Sequence, residues 1–103
     1  MAHLPRYAEL AAALGEAFMS MIGTSSVVVQ QPEAGAFWLS HVDGNLPTWK
    51  GQVISCYFHP SKPHSATTIG KLGTKRSEAS AGHWAISVQT RGLTGNKTMY
   101  NHW

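Results

Sequence analysis

The sequence predicts an α+β protein in which one N-terminal helix packs on a curved antiparallel sheet of about five strands, with a long basic loop. Three observations support this class: helical periodicity confined to the start of the chain, strand-like alternation after it, and a length of 103 residues. With 43% hydrophobic and 13% charged residues, the chain is too apolar to be disordered. We therefore expect residues 1–103 to form a single domain.

The predicted helix spans Pro5–Ile22. Proline is tolerated in the first helical turn, and Gly23 stands where a left-handed C-cap is commonly found. Apolar residues recur inside this span at intervals of three and four, which places them on one helical face. They are Tyr7, Leu10, Ala11, Leu14, Phe18 and Met21.

Segments rich in β-branched and aromatic residues follow the helix and are predicted to be strands. Pro32 and Gly35 mark a turn that joins the first two strands into a hairpin. The segment His59–Gly82 contains two prolines and three glycines, so it is predicted to be a long loop with a short strand near Thr67–Leu72. The predicted strands are Ser25–Gln31, Ala36–Val42, Trp49–Phe58, His83–Arg91 and Lys97–Trp103.

The third predicted strand has two unlike faces. Ile54, Cys56 and Phe58 share the face without hydroxyl or indole groups, so this face is predicted to pack against the helix. No further segment is predicted to cover the opposite face. Aromatic rings on an open sheet suit stacking on unpaired bases or contact with a protein. The residues expected on this open face are Trp38, Trp49 and Tyr57.

Charge is distributed unevenly along the chain. Residues 1–49 contain one basic and four acidic side chains, whereas residues 50–103 contain seven basic and one acidic side chain. The range 59–77 contains no acidic residue, so it is expected to attract an anionic partner, although a solvated loop is the structural alternative. The predicted binding residues of this basic half are Lys62, His64, Lys71, Lys75, Arg76, Arg91 and Lys97.

The cysteine count and the first residues bear on location. Cys56 is the only cysteine, so no internal disulfide is available and a reducing cytoplasm is expected. An apolar run follows Arg6, but Glu9 and Glu16 interrupt it, so neither an export signal nor a membrane span is predicted.

Metal binding and catalysis find little support in the residue spacing. Cys56, His59 and His64 lie within nine residues, but they match no usual zinc pattern, so no metal or other cofactor is predicted. No nucleophile elbow or phosphate-binding loop occurs in the sequence. One enzymatic alternative is a small metal-free ribonuclease with acid, base and phosphate-binding groups. Its candidate residues are His83, Arg91, Lys97 and His102.

The sequence therefore favours a non-enzymatic binding module that holds nucleic acid or a nucleoprotein complex through its basic loop and open aromatic face. A small protein inhibitor, encoded by a mobile element or phage and directed at a larger host protein, is the alternative within binding. Nucleic-acid binding would weaken steeply with salt, whereas a hydrophobic protein contact would not. The exposed edge of the last strand also permits a homodimer.

Overall fold

The computed structural model describes residues 5–15, 28–42, 51–92 and 95–103. The second half of the predicted helix with Gly23, the start of the first predicted strand, and the turn with Trp49 lie outside the described residues. The described elements are α1 (Tyr7–Leu14), β1 (Val28–Gln30), β2 (Phe37–Val42), β3 (Gln52–Phe58), β4 (His64–Gly70), β5 (Gly73–Ala79), β6 (Trp84–Thr90) and β7 (Lys97–His102).

Within the described residues, seven strands form two antiparallel sheets. The first sheet has the order β1-β2-β3-β6, and the second has the order β5-β4-β7. The second sheet covers one face of the first, and α1 packs on the other. Among the described residues, the prediction of a helix with antiparallel strands is confirmed, whereas the single curved sheet of about five strands is not observed. The helix is shorter than predicted, because α1 ends at Leu14 with Gly15 as its C-cap.

The segment predicted as a long loop contains the centre of the second sheet. β4 and β5 form a hairpin whose last register pair is Gly70 and Gly73. Gly73 has a φ of 87°, a left-handed conformation that favours glycine at the end of this tight turn. The loop prediction is wrong because the inward side chains of this hairpin are small or polar. The first five residues of β4 are all buried, and most of them are polar, so no apolar alternation marks this strand in the sequence.

The helix side of the first sheet is apolar. Ile54, Cys56 and Phe58 are buried in one cluster with Leu10 and Leu14 of α1, as the sequence predicts. Trp84 attaches the helix to the sheet through two hydrogen bonds. Its indole Nε1 donates to the Pro5 carbonyl, and its backbone N–H donates to a Glu9 carboxylate oxygen, each at 2.7 Å.

The opposite face of β3 is covered by the second sheet rather than open. Tyr57 is 0% exposed, and it packs with Ala66 of β4 and Ala85 of β6. The prediction of an open aromatic face is therefore wrong, because β4, β5 and β7 form a second sheet that covers it.

Candidate functional site

A chain of hydrogen bonds crosses the layer between the two sheets. The Gln89 amide donates to Thr68 Oγ1 at 3.0 Å, and the Thr68 and Ser87 hydroxyl oxygens lie 2.8 Å apart. Ser87 Oγ donates to the Lys75 carbonyl at 2.8 Å, which leaves Thr68 as the donor between the two hydroxyls. Each of these groups is satisfied by a specific partner, so their role is to position the second sheet.

Two residues predicted to bind a partner also connect the sheets. Trp38 Nε1 donates to Ser55 Oγ at 3.0 Å, and Ser55 Oγ donates to the Met99 carbonyl on β7 at 2.9 Å. On the other side of the sandwich, the Lys75 ammonium donates to the Val88 carbonyl at 3.0 Å. The bonds from Ser55 and Lys75 satisfy main-chain acceptors where the two sheets adjoin, and Trp38 orients the Ser55 hydroxyl.

Three ionisable side chains meet at the end of the sandwich where β3 leads into β4. Glu33 comes from the turn between β1 and β2, His59 follows β3, and His102 ends β7. A Glu33 carboxylate oxygen lies 2.5 Å from His59 Nε2 and 3.5 Å from His102 Nε2. The Tyr57 hydroxyl lies 3.2 Å from His102 Nδ1. Because Tyr57 is buried, its pKa is raised to about 12, so its hydroxyl stays protonated.

The hydrogen bonds of His59 favour a proton over a metal ion at this cluster. One ligand atom from each of Glu33, His59 and His102 lies within 4.8 Å of the others, which is close enough to suggest a metal site. However, His59 Nδ1 accepts the backbone N–H groups of Ser61 and Lys62 at 3.2 and 3.1 Å. The neutral ring therefore carries its proton on Nε2 and donates it to Glu33. A metal at Nε2 would require the ring proton to move to Nδ1, where it would face the backbone N–H groups of Ser61 and Lys62 and break both hydrogen bonds. The cluster therefore fits a hydrogen-bonded contact between three segments.

His64, another predicted binding residue, is fully buried. Its Nδ1 lies 2.9 Å from the Lys62 carbonyl oxygen, and its Nε2 lies 2.7 Å from the His83 carbonyl oxygen. Its ring also makes an edge contact with the ring of Tyr57, at a centroid distance of 5.5 Å. These contacts place His64 inside the layer between the sheets, where a partner does not reach it.

The predicted basic residues do not form one surface. Lys62 precedes β4 and Lys71 follows it, so they lie at opposite ends of a strand about 20 Å long. Trp49 lies outside the described residues. The structure does bring four of the predicted cations to the end of the sandwich that contains the β4–β5 turn. These are Lys71, Lys75, Arg91 and Lys97.

The residues of the ribonuclease alternative are also separated. His83 precedes β6 and His102 ends β7, whereas Arg91 follows β6 and Lys97 begins β7. The two histidines therefore lie about 20 Å from the two cations along the strands. General acid–base catalysis needs both kinds of group within hydrogen-bonding reach of one substrate, and this arrangement does not provide that.

The outward face of the second sheet, which we call the outer face, combines cations with large apolar side chains. The Arg76 guanidinium lies 5.1 Å from the ring centroid of Trp103, and it pairs with Glu78 at 3.4 Å. Met99 is 41% exposed and Trp103 is 53% exposed. Strand alternation and register place the following residues on this face: Ile69, Thr74, Arg76, Glu78, Lys97, Met99 and Asn101, together with Ser65 and Thr67, which are buried.

Sequence reasoning missed Glu33, His59 and Trp103 as members of these sites. Glu33 and His59 come together only through pairing of β2 with β3, since the register places Phe37 opposite Phe58. Trp103 had a usable signal, because it follows a predicted strand and its two-residue alternation with Met99 and Asn101 places it on the same face.

The fold and its contacts define a two-sheet β protein. It buries hydrogen-bonding groups between the sheets and exposes a face of mixed cationic and apolar character. A family model described as Bacteriocin (Lactococcin_972) matches residues 46–100, just over half of the chain. The chain belongs to this bacteriocin family. No curated protein and no solved structure matches it.

Family membership corrects the predicted function and location. Bacteriocins of this family are secreted proteins that act on other bacteria, so the predictions of nucleic-acid binding and of a cytoplasmic location are wrong. The inhibitor and ribonuclease alternatives agree with the family match no better than nucleic-acid binding does. The prediction of a binding partner is confirmed only in general terms, since the family indicates a target protein or a target cell and not a nucleic acid. Among the described residues, no helix has the length and apolarity needed to cross a bilayer. Homodimer formation through a strand edge stays a prediction.

Proposed function

We propose that this chain is an exported antibacterial protein whose outer face recognises a component on the surface of a target bacterium. The position of the family match carries this proposal. Residues 46–100 contain β3 to β6 and the first four residues of β7, whereas α1, β1 and β2 precede the match. The second sheet is therefore built almost entirely from the family-specific part of the chain.

The outer face has the composition of a recognition surface. Aromatic residues, methionine and arginine are enriched in binding interfaces, and Trp103, Met99 and Arg76 lie together on this face. The inward faces of both sheets are already occupied by contacts with each other. The exposed Arg76–Trp103 contact contributes only about 0.5–1 kcal/mol, so a partner can replace it at little cost.

Growth inhibition tests the proposal. Purified protein is applied to a panel of bacteria, and its inhibitory concentration is compared with that of the double variant Arg76→Ala/Trp103→Ala. Two interface residues of this type carry enough binding free energy to change affinity by about tenfold or more, so we expect at least that loss of potency. The unfolding midpoint in urea is expected to stay close to that of the wild type, because both side chains are exposed.

The control variant is Val29→Ser. Val29 is 49% exposed on β1 of the first sheet, away from the outer face, and its substitution is expected to leave potency unchanged. If the wild type inhibits no bacterium in the panel, the antibacterial function is refuted. If the wild type is active and the double variant is equally potent, the assignment to the outer face is refuted.

A further inference from the structure

Acidic side chains of the described residues lie toward one end of the sandwich, whereas four cations gather at the other end. We call the end with the β4–β5 turn, the last residue of β6 and the first residue of β7 the basic end. The acidic side chains among the described residues all lie toward the opposite end: Glu9 contacts the start of β6, Glu33 contacts His59 after β3, and Glu78 pairs with the start of β4. The cations of the basic end are Lys71, Lys75, Arg91 and Lys97.

Strand pairing brings these cations close together. The backbone N–H of Lys71 donates to the Thr90 carbonyl at 3.0 Å, which places the β4–β5 turn beside Arg91. Lys97 pairs with Ile69, two residues before Lys71. With paired strands about 4.8 Å apart and a rise of about 3.3 Å per residue, the Cα atoms of these cations lie within roughly 15 Å of one another.

An exposed apolar side chain projects from this end. Leu72 is 76% exposed in the β4–β5 turn, between Lys71 and Gly73. Cations around a projecting leucine match the interface of an anionic bilayer. The phosphate groups of its lipids attract Lys and Arg, and an apolar side chain inserts at the boundary between headgroups and acyl chains.

We propose that the basic end docks on membranes that contain anionic phospholipids. The inference deepens the proposed function, since an antibacterial protein that acts on other cells would meet such a surface, but docking is measurable without a target cell. The outer face would then recognise its component while the basic end holds the protein at the lipid surface. The cations of the basic end favour an anionic partner. The exposed Leu72 favours a bilayer over a soluble polyanion, because only a bilayer offers an apolar interior.

Vesicle co-sedimentation tests this inference. The protein is mixed with vesicles of phosphatidylcholine alone or of phosphatidylcholine with phosphatidylglycerol in equal parts. We expect binding to the anionic vesicles only, and we expect it to weaken as salt rises from about 0.05 M to about 0.5 M, because screening shortens the range of the attraction. The variant Lys71→Glu/Lys97→Glu is expected to lose at least about tenfold in vesicle affinity, because it replaces two cations that the lipid phosphates attract with two anions that they repel.

Two further variants separate the contributions. Lys62→Glu makes the same kind of charge change at the opposite end and is expected to change affinity less than about twofold, because it lies beyond the Debye length of the docked surface. Leu72→Ser is expected to lower vesicle affinity several-fold and to leave binding to soluble polyphosphate unchanged. Both substitutions are at exposed positions, so the fold is expected to tolerate them.

The outcomes are distinct. Equal binding to neutral and anionic vesicles, or equal losses in Lys62→Glu and in Lys71→Glu/Lys97→Glu, would overturn the inference. Full vesicle affinity in Leu72→Ser would overturn the bilayer as the occupant and favour a soluble polyanion. If the protein inhibits growth but does not bind anionic vesicles, only the docking inference is refuted. If it docks but never inhibits growth, only the proposed function is refuted.

Discussion

The helix side of β3 is an apolar layer, whereas the opposite side of the same strand is a hydrogen-bonded layer. On the first side, Ile54 and Cys56 pack against Leu10 and gain stability by leaving water. On the second side, Ser55 and Tyr57 are equally buried, but they and their neighbours bond to individual atoms of the second sheet. Apolar packing tolerates adjustment, whereas paired polar groups fix one register.

The difference shows why the second face could be mistaken for an open surface. Among the described residues, no buried side-chain nitrogen or oxygen lacks a hydrogen-bond partner. A layer of serine, threonine, glutamine and tyrosine is therefore as closed as an apolar one. Recognition of a partner must use the outside of the second sheet or its ends, where side chains remain exposed.

The largest expected effect is in the apolar layer. Replacing Ile54 with alanine removes buried methylene and methyl groups and leaves a cavity, which we expect to lower the free energy of unfolding by about 2–5 kcal/mol. Urea denaturation monitored by tryptophan fluorescence measures it. Val29→Ala, at an exposed position, should change the same quantity by no more than about 0.5 kcal/mol. A loss below that value in Ile54→Ala would contradict the assignment of this layer as the core.

A smaller effect is expected in the polar layer. Ser87→Ala leaves the Lys75 carbonyl and the Thr68 hydroxyl without their partner, so we expect a loss of about 1–3 kcal/mol in the free energy of unfolding. The double variant Thr68→Val/Ser87→Ala removes both hydroxyls, so its loss should be less than the sum of the two single losses. Strict additivity in this double-mutant cycle would show that the two hydroxyls do not interact.

Acid should weaken the contacts that attach the helix and the β1–β2 turn. The backbone N–H of Trp84 lowers the pKa of Glu9, and the hydrogen bond from His59 lowers the pKa of Glu33, each from an ordinary value of 4.5. The folded state therefore binds fewer protons than the unfolded state near this pH. The corresponding stability is present above about pH 5 and is lost as pH falls through the lowered values.

Urea denaturation at a series of pH values measures this dependence. Glu9→Gln and Glu33→Gln should each lower stability at neutral pH and flatten its decrease between about pH 5 and about pH 3. Glu78→Gln, which alters an exposed pair with Arg76, serves as the matched control and should leave the profile nearly unchanged. A pH profile that is the same in all four proteins would rule out both contacts.

The smallest expected effect is on the reactivity of the buried Cys56 thiol. Burial raises the pKa of the Cys56 thiol to about 12, so almost no thiolate exists at neutral pH. A disulfide reagent that yields a coloured product should not modify the native protein, but it should react with one thiol per chain after denaturation in urea. Rapid modification of the native protein would show that the apolar layer opens to solvent.

Much of the first sheet could be predicted because its residues follow simple rules. Alternation of Ile54, Cys56 and Phe58 indicates β3 and its helix-facing side, and the sequence also predicts β2 and β6 as strands, as it does β7 of the second sheet. The hairpin β4–β5 was missed because its inward positions include His64 and Thr68. These polar residues are buried only because β3 and β6 offer them hydrogen-bond partners, and partners from distant segments are not visible in local periodicity.

The sequence indicates several residues of the candidate surfaces, but it does not indicate which of them lie next to one another in the fold. The excess of basic residues in the second half of the chain was visible, but strand pairing decides that Lys71 and Lys97 share an end that Lys62 does not reach. The cluster of Glu33, His59 and His102 joins three segments that are far apart in sequence. The bacteriocin family became evident only from the match to residues 46–100, because no short motif marks its function.

Native-state hydrogen exchange followed by NMR tests the closure of the polar layer most directly. The central claim is that β4 is an ordered strand that seals the polar face of β3. If so, the amides of Thr68 in β4 and of Tyr57 in β3 should exchange with similar free energies, close to that of global unfolding. Exchange at Thr68 that is orders of magnitude faster than at Tyr57 would mean that the segment is a loop, and it would contradict the two-sheet account.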